Sequence, residues 1–206
     1  MFWRRVNSTK KRSIFGGNVR RWWNVVAEKV IKKTPKYGRK EGRSAYDTRI
    51  LSWQARELIA TPTLKYNYPQ KLFSLAVAKD IRSWVVSNIE WNPDQLIYGR
   101  EDFWATSDEV LMRKKDDCDG QAVAIWKKMR NAGFNDDKIG MWCLTGNDQG
   151  HMVAIYQISE TDAYVIDNGY LTTEIVLASE LFADPVRSKG MKPVAGFNLW
   201  DLWIVG

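Results

Sequence analysis

Three residues of this chain supply a nucleophile, a base and an acid, in that order along the sequence. Cys118 directly follows Asp117, a good helix N-cap, so it falls in the first turn of a predicted helix. Unpaired backbone N–H groups and the helix dipole favour a thiolate there. A thiolate is the attacking species in acyl transfer. Asp116, Asp117 and Asp119 work the other way, because negative charge opposes ionisation of a neighbouring thiol. His151, the only histidine, follows Gly150 at the start of a predicted strand. Strand alternation puts it on one face with Val153 and Ile155. A thiol nucleophile needs a base within hydrogen-bond reach, and His is the usual one. Asp167 ends the next strand-like run, AYVID, and a hairpin of the two strands brings its carboxylate to the imidazole, where it fixes the tautomer. Taken singly, each residue also has a plain structural reading: a core cysteine, an exposed loop histidine, an Asp-Asn-Gly turn. Together they form an ordered Cys, His, Asp series with spacings of 33 and 16 residues.

The elements that must position these residues follow from caps and periodicity. Asn18 opens a predicted helix over 19–33, with an apolar stripe at Val19, Trp22, Val26 and Val30. A basic linker covers 34–43, and a second helix covers 44–60. The polar run TPTLKYNYP interrupts the pattern before a third helix from Pro69 to Ile89. Residues 92–106 read as a loop. Thr106 to Glu109 form a capping box before VLMRK, and Asp117 opens the Cys118 helix, closed by Gly133. IGMWCLTG, HMVAIYQI and AYVIDN then read as three strands separated by turn residues, with a further strand over 194–205. Helices first and an antiparallel meander after them predict an α+β fold. Cys143 lies mid-strand, without a helix-start context, and reads as core.

Composition narrows the classes. The chain has 206 residues, 45% of them apolar, enough to bury a core and to exclude wholesale disorder. Two cysteines exclude a disulfide scaffold, and a single histidine excludes a multi-His metal site. No apolar run is long enough to span a membrane, and the N-terminus has no apolar segment of the secretory kind. Of the 31 Lys and Arg, 14 fall in residues 1–43, against only Glu28 and Glu41. The expected organisation is therefore a basic arm with an amphipathic helix (1–43) and an acidic body (44–206). With Trp22 and Trp23, three partners fit the arm: nucleic acid, an anionic membrane surface, or an acidic protein.

The segment FWATSDEVLMRKKDDCDGQAVAIWKKMRNAGF, then GHMVAIY, then AYVIDN, resembles the bacterial transglutaminase-like cysteine peptidases of the papain-like superfamily. IRSWVVSNIEW and YGRED match the family's approach to its catalytic helix, so the resemblance covers about residues 70–170. It implies a transglutaminase-like α+β domain with the catalytic Cys at a helix start packed on an antiparallel sheet. It makes Cys118 the nucleophile, His151 the base and Asp167 its orienting acid. The implied activity is that of a cysteine peptidase, or a related amide-cleaving acyl transferase, acting on a protein or peptide through a thioester. A non-catalytic protein that keeps the fold, such as a phage virion component, is the alternative. The oxyanion donors expected are the Cys118 N–H and a second group from the preceding loop, with Trp104 and Tyr98 as candidates.

Two departures from the family pattern matter. Where the family has Asp-Cys-Glu-Asp, this chain has Asp117-Cys118-Asp119-Gly120. The thiol chemistry itself requires no cofactor. One branch of the family binds calcium beside the Cys, and that resemblance assigns Asp117 and Asp119 as ligands; Arg113, Lys114 and Lys115 are the metal-free way to offset the same charge. Close relatives are typically exported, whereas no export signal is visible here, and relatives without export signals also occur in phage genomes. The expected location is therefore cytoplasmic or in a virion.

Overall fold

A computed structural model of the chain describes residues 3–8, 45–60, 70–146 and 149–205. Its helices are α1 (Ala45–Ala60), α2 (Leu75–Asn88), α3 (Asp94–Tyr98), α4 (Ser107–Arg113), α5 (Cys118–Asn131) and α6 (Ala178–Ala183). Its strands are β1 (Trp3–Ser8), β2 (Glu90–Trp91), β3 (Lys115–Asp116), β4 (Ile139–Gly146), β5 (Gln149–Gln157), β6 (Ala163–Ile166), β7 (Val176–Leu177), β8 (Lys192–Phe197) and β9 (Asp201–Val205). Seven of them form an antiparallel sheet in the order β1-β9-β8-β4-β5-β6-β7, while β2 and β3 make a separate parallel pair.

The sheet is covered on both faces, which is why IGMWCL and MVAIY read as nearly continuous apolar runs. Alternation sorts their side chains. Met141, Cys143, Met152, Ala154 and Tyr156 join the helices in the larger core. Trp142, Leu144, Val153 and Ile155 join Ala163, Val165 and Leu181 in a second cluster. At the centre of the larger core α5 is buried along most of its length, and Trp126 meets Trp53 edge-on at 5.4 Å between ring centres. Much of the tryptophan content is therefore core: Trp53, Trp104, Trp126 and Trp142 are all buried.

Local signals set the helix ends around the site. The capping box before α4 is formed: the Thr106 N–H donates to Glu109 Oε2 at 2.8 Å, and Thr106 Oγ1 accepts from the Glu109 N–H. Asp117 caps α5 through its Oδ1, which accepts from the Asp119 N–H at 3.0 Å. Gly133, at φ 88°, lies just past the C-cap Ala132, where a left-handed residue is needed.

Some elements differ from expectation. The helix placed from Pro69 begins at Leu75, because Ser74 supplies the cap by accepting from the Val77 N–H. The loop 92–106 contains α3. The last predicted strand is two: Asn198 Oδ1 accepts from the N–H groups of Trp200 and Asp201, both at 2.8 Å, and turns the chain between β8 and β9. Trp3–Ser8, read as an arm without regular structure, pairs with Asp201–Val205. The helix over 19–33, the linker 34–43 and the interruption at 61–69 lie outside the described residues. Among the described residues, no helix is long and apolar enough to cross a membrane.

Candidate active site

α5 and β5 bring Cys118 to the backbone of Met152, the residue that follows His151. Pairing between β5 and β6 stops at Ala154 and Ile166, so Met152 lies beyond the last paired residue. Its backbone N–H lies against the Cys118 thiol. Cys118 therefore meets β5 at the residue after His151. Cys118 is half-buried and Cys143 is buried, and both are free thiols. Burial pushes the Cys118 thiol well up, and the charges of Asp117 and Asp119 push it further; the Met152 N–H acts against them.

His151 and Asp167 form a direct pair, with Nε2 2.6 Å from Oδ1. Both are buried. The second carboxylate oxygen, Oδ2, accepts from the backbone N–H groups of Gly169, Leu171 and Thr172 at 2.9, 2.7 and 3.1 Å. Burial alone would raise the Asp167 pKa, but the hydrogen bond and charge of His151 and the Thr172 and Leu171 N–H groups hold it below the usual carboxylate value. The carboxylate is therefore ionised and fully engaged. The turn that carries it is tied down from two helices. Arg82 of α2 donates from Nε to the Asp167 carbonyl at 2.6 Å. Gln121, one turn after Cys118, accepts from Asn168 Nδ2 and donates to the Ile89 carbonyl, each at 2.8 Å. The Tyr170 ring lies 4.9 Å from the His151 ring.

A second constellation includes the two residues on either side of Cys118 in the sequence, Asp117 and Asp119. One oxygen from each of Asp94, Asp116, Asp117 and Asp119 falls within 4.8 Å of all the others. Asp94, Asp116 and Asp119 are buried. Oδ1 of Asp94 and Oδ1 of Asp119 have no hydrogen-bond partner among the described residues. Burial, with the neighbouring Asp117 charge, pushes Asp94 up to about 6. Burial pushes Asp116 up to about 7 despite the hydrogen bond from Tyr98 and that from the Asp117 N–H. Asp119 is pushed well up by burial and then by Asp117. Arg113, Lys114 and Lys115 are exposed, and none of them forms an ion pair with the cluster among the described residues. Gly120 makes the arrangement possible: a Cβ there would come within 2.2 Å of Asp116 Cγ.

Asp117 and Asp119 are thus joined by Asp116 and by Asp94, which the sequence reading passed over; its only signal was Pro93-Asp94 at a short helix start, equally a turn. The two loop candidates go elsewhere. The Tyr98 hydroxyl donates to Asp116 Oδ2 at 2.8 Å. Trp104 is buried, its ring stacked on Phe197 at 5.5 Å and 10°. Arg82 and Gln121 carried no signal beyond being polar residues on helices with apolar faces.

The sequence matches no protein-family model and no curated protein. Solved structures do match. Legionella pneumophila LapG aligns with a TM-score of 0.54 at 19% identity, over 87% of this chain and 87% of that one. Its EGTA-treated form gives 0.53 at 20% identity, over 87% and 86%. Its calcium-bound form gives 0.52 at 21% identity, over 87% and 87%. The chain has the transglutaminase-like α+β fold of these neighbours.

Proposed function

We propose that the chain is a cysteine peptidase, or a closely related amide-cleaving acyl transferase, acting through Cys118, His151 and Asp167. The observation that carries this is the buried 2.6 Å His151–Asp167 pair, set one residue from the backbone group that meets the Cys118 thiol. With Nε2 committed to Asp167, Nδ1 is the nitrogen that takes the thiol proton. The thiolate attacks the substrate carbonyl carbon, and His151 returns the proton to the leaving amine. Water or a second amine then releases the acyl group from the thioester. Asp167 stays ionised and stabilises the imidazolium between the two proton transfers. The Cys118 backbone N–H is the proposed oxyanion donor. Tyr98 serves the carboxylate cluster and Trp104 the core, so neither is given that role.

The four-carboxylate cluster fits a hard cation. Its donors are all oxygens, and two of them are buried without hydrogen-bond partners among the described residues. Calcium is the ion proposed, since a calcium-bound structure stands among the neighbours. Asp94, Asp116, Asp117 and Asp119 would hold it, with carbonyls and water completing the six to eight ligands calcium takes. Bound there, it supplies positive charge that offsets the two acids flanking the thiol.

A second reading, an interaction protein that keeps the fold without catalysis, rests on the same burial and acids that hold the thiol protonated. One assay separates them. Iodoacetamide is added at neutral pH with calcium present, and labelling is located by mass spectrometry. Cys118 is expected to react while buried Cys143 does not, and His151→Ala is expected to slow the reaction ~100-fold, the scale of a lost general base. A Cys118 that stays unlabelled, or a rate indifferent to His151, leaves the non-catalytic reading standing.

A further inference from the structure

Beside the His151–Asp167 pair the surface opens into a groove of about 400 Å³, formed by Val86, the segment Ile89–Trp91, Gln121, Asn168 and Tyr170. We propose that this groove is a substrate subsite that seats one bulky apolar side chain of an extended peptide, a few residues from the bond cleaved. The proposal rests on the peptidase reading and specifies its substrate.

Three observations converge on it. The first is continuity with the reacting groups. Tyr170 lies against the His151 ring, Asn168 directly follows Asp167, and Gln121 is one helical turn from Cys118. A peptide leaving the reacting carbonyl on this side enters the groove.

The second is the chemistry of the walls. Gln121 and Asn168 engage each other, and Gln121 also engages the Ile89 carbonyl, so these polar groups are already bonded. What remains is Val86, the Glu90 side chain and two aromatic rings, with the Lys189 ammonium over the face of one of them, Tyr170. Trp91 is 59% exposed and Tyr170 39%, a large apolar area left open at the edge of a buried site. A pocket of this size, apolar with a few fixed polar groups, suits a Leu- or Phe-sized group.

The third is the backbone edge. The Glu90 N–H donates to Lys114 O at 2.9 Å and the Asn92 N–H to Asp116 O at 3.0 Å. Both face β3, so the N–H and C=O of Trp91 between them point the opposite way. An extended peptide that pairs with that edge gains affinity there, while the groove reads a side chain, which gives specificity.

The test uses the full chain and short Ala/Ser peptides in which one residue is Leu, Phe, Gly or Asp and is moved through every position. Cleavage is read by mass spectrometry. At one position Leu and Phe are expected to raise kcat/KM at least ~10-fold over Gly and Asp, the range of one apolar subsite. Trp91→Ala erases that preference and leaves the iodoacetamide rate at Cys118 unchanged. Leu72→Ser, at an exposed apolar residue outside the groove, alters neither. A preference that survives Trp91→Ala overturns the subsite.

If no peptide is turned over, the peptidase reading fails, and the subsite is judged by binding. The same Leu and Gly peptides are titrated into Cys118→Ser protein and followed by the NMR indole signal of Trp91. Binding of the Leu peptide ~10-fold tighter upholds the subsite; equal binding, or none, overturns it. A Trp91→Ala protein that melts many degrees lower also overturns it, because the groove is then covered by another segment or a second copy.

Discussion

Two sets of buried carboxylates, Asp167 beside His151 and the cluster of Asp94, Asp116 and Asp119, are treated by the protein in opposite ways. Asp167 is buried, yet one oxygen meets His151 and the other accepts three backbone N–H groups, so its pKa is lowered. Asp94, Asp116 and Asp119 are buried in each other's company, two of their oxygens have no hydrogen-bond partner among the described residues, and their pKa values are raised. The same side chain is thus preorganised as an anion in one place and left short of positive charge in the other. Burial is common to both, so hydrogen-bond donors and neighbouring charge decide the sign. The first site is complete as it stands, whereas the second gains most from a counter-charge.

The largest effect expected comes from breaking the complete side. Asp167→Asn should lower turnover by ~10⁴-fold, as expected when the histidine loses the acceptor that sets its tautomer. Asp167→Ala also leaves the His151 ring and three backbone N–H groups without their acceptor, at a cost of ~1–3 kcal/mol for each group left unsatisfied. Turnover within a few-fold of the parent would show that Asp167 does not orient the base.

Next comes the incomplete side. Exchanging calcium for a chelator should slow alkylation of Cys118 ~10-fold or more and lower the melting temperature, since an ion that binds only the folded chain stabilises it by mass action. Equal rates and equal melting temperatures would remove the metal from the mechanism. Gly120→Ala sharpens the same point from within the chain. Its methyl group occupies the place of the Asp116 carboxyl. Overpacking should cost ~1–3 kcal/mol and abolish the calcium-dependent shift in melting temperature. A full calcium response in that variant would show that Asp116 is not a ligand.

A smaller effect separates the two groups by pH. In metal-free protein, Asp94 and Asp116 take up protons more readily folded than unfolded. Their contribution is therefore most favourable at low pH and is lost as pH rises through about 6 and about 7. Asp167 has the opposite sign: its stabilisation is present above the ordinary carboxylate pKa and is lost as pH falls through its own lowered value. Melting temperature measured with a chelator should decline from pH 5 to pH 8, and Asp116→Asn should flatten that decline. A metal-free protein that grows more stable over this interval would contradict the raised values. The smallest change is expected from deleting residues 1–8, which removes the edge strand β1 and no part of either carboxylate group. The melting temperature should fall by about 2–4 °C for each kcal/mol of lost pairing. The alkylation rate and the calcium response should stay as they were.

What the sequence determined by itself was local. Asp117 caps the turn that holds Cys118, Thr106 and Glu109 close a capping box, and Gly133 ends α5, each through contacts a few residues apart. Alternating and continuous apolar runs separated β4, β5 and β6, and through them put His151 on β5 and Asp167 just past the end of the neighbouring β6. Cys143 was legible as core for the same reason. Tertiary structure alone decided which distant groups share a volume. Asp94 joins Asp116 because α3 folds back beside β3, and Gly120 leaves room for the Asp116 carboxyl. Tyr98 and Trp104, both in one loop by sequence, part company: one bonds Asp116 and the other stacks on Phe197. Trp3–Ser8 has no apolar period to announce a strand, and its pairing with Asp201–Val205 spans the length of the chain. Caps and periodicity arise from short-range hydrogen bonds and burial patterns, which a linear reading can follow. The shared burial of four carboxylates arises from loop closure and packing, and no spacing along the chain encodes it.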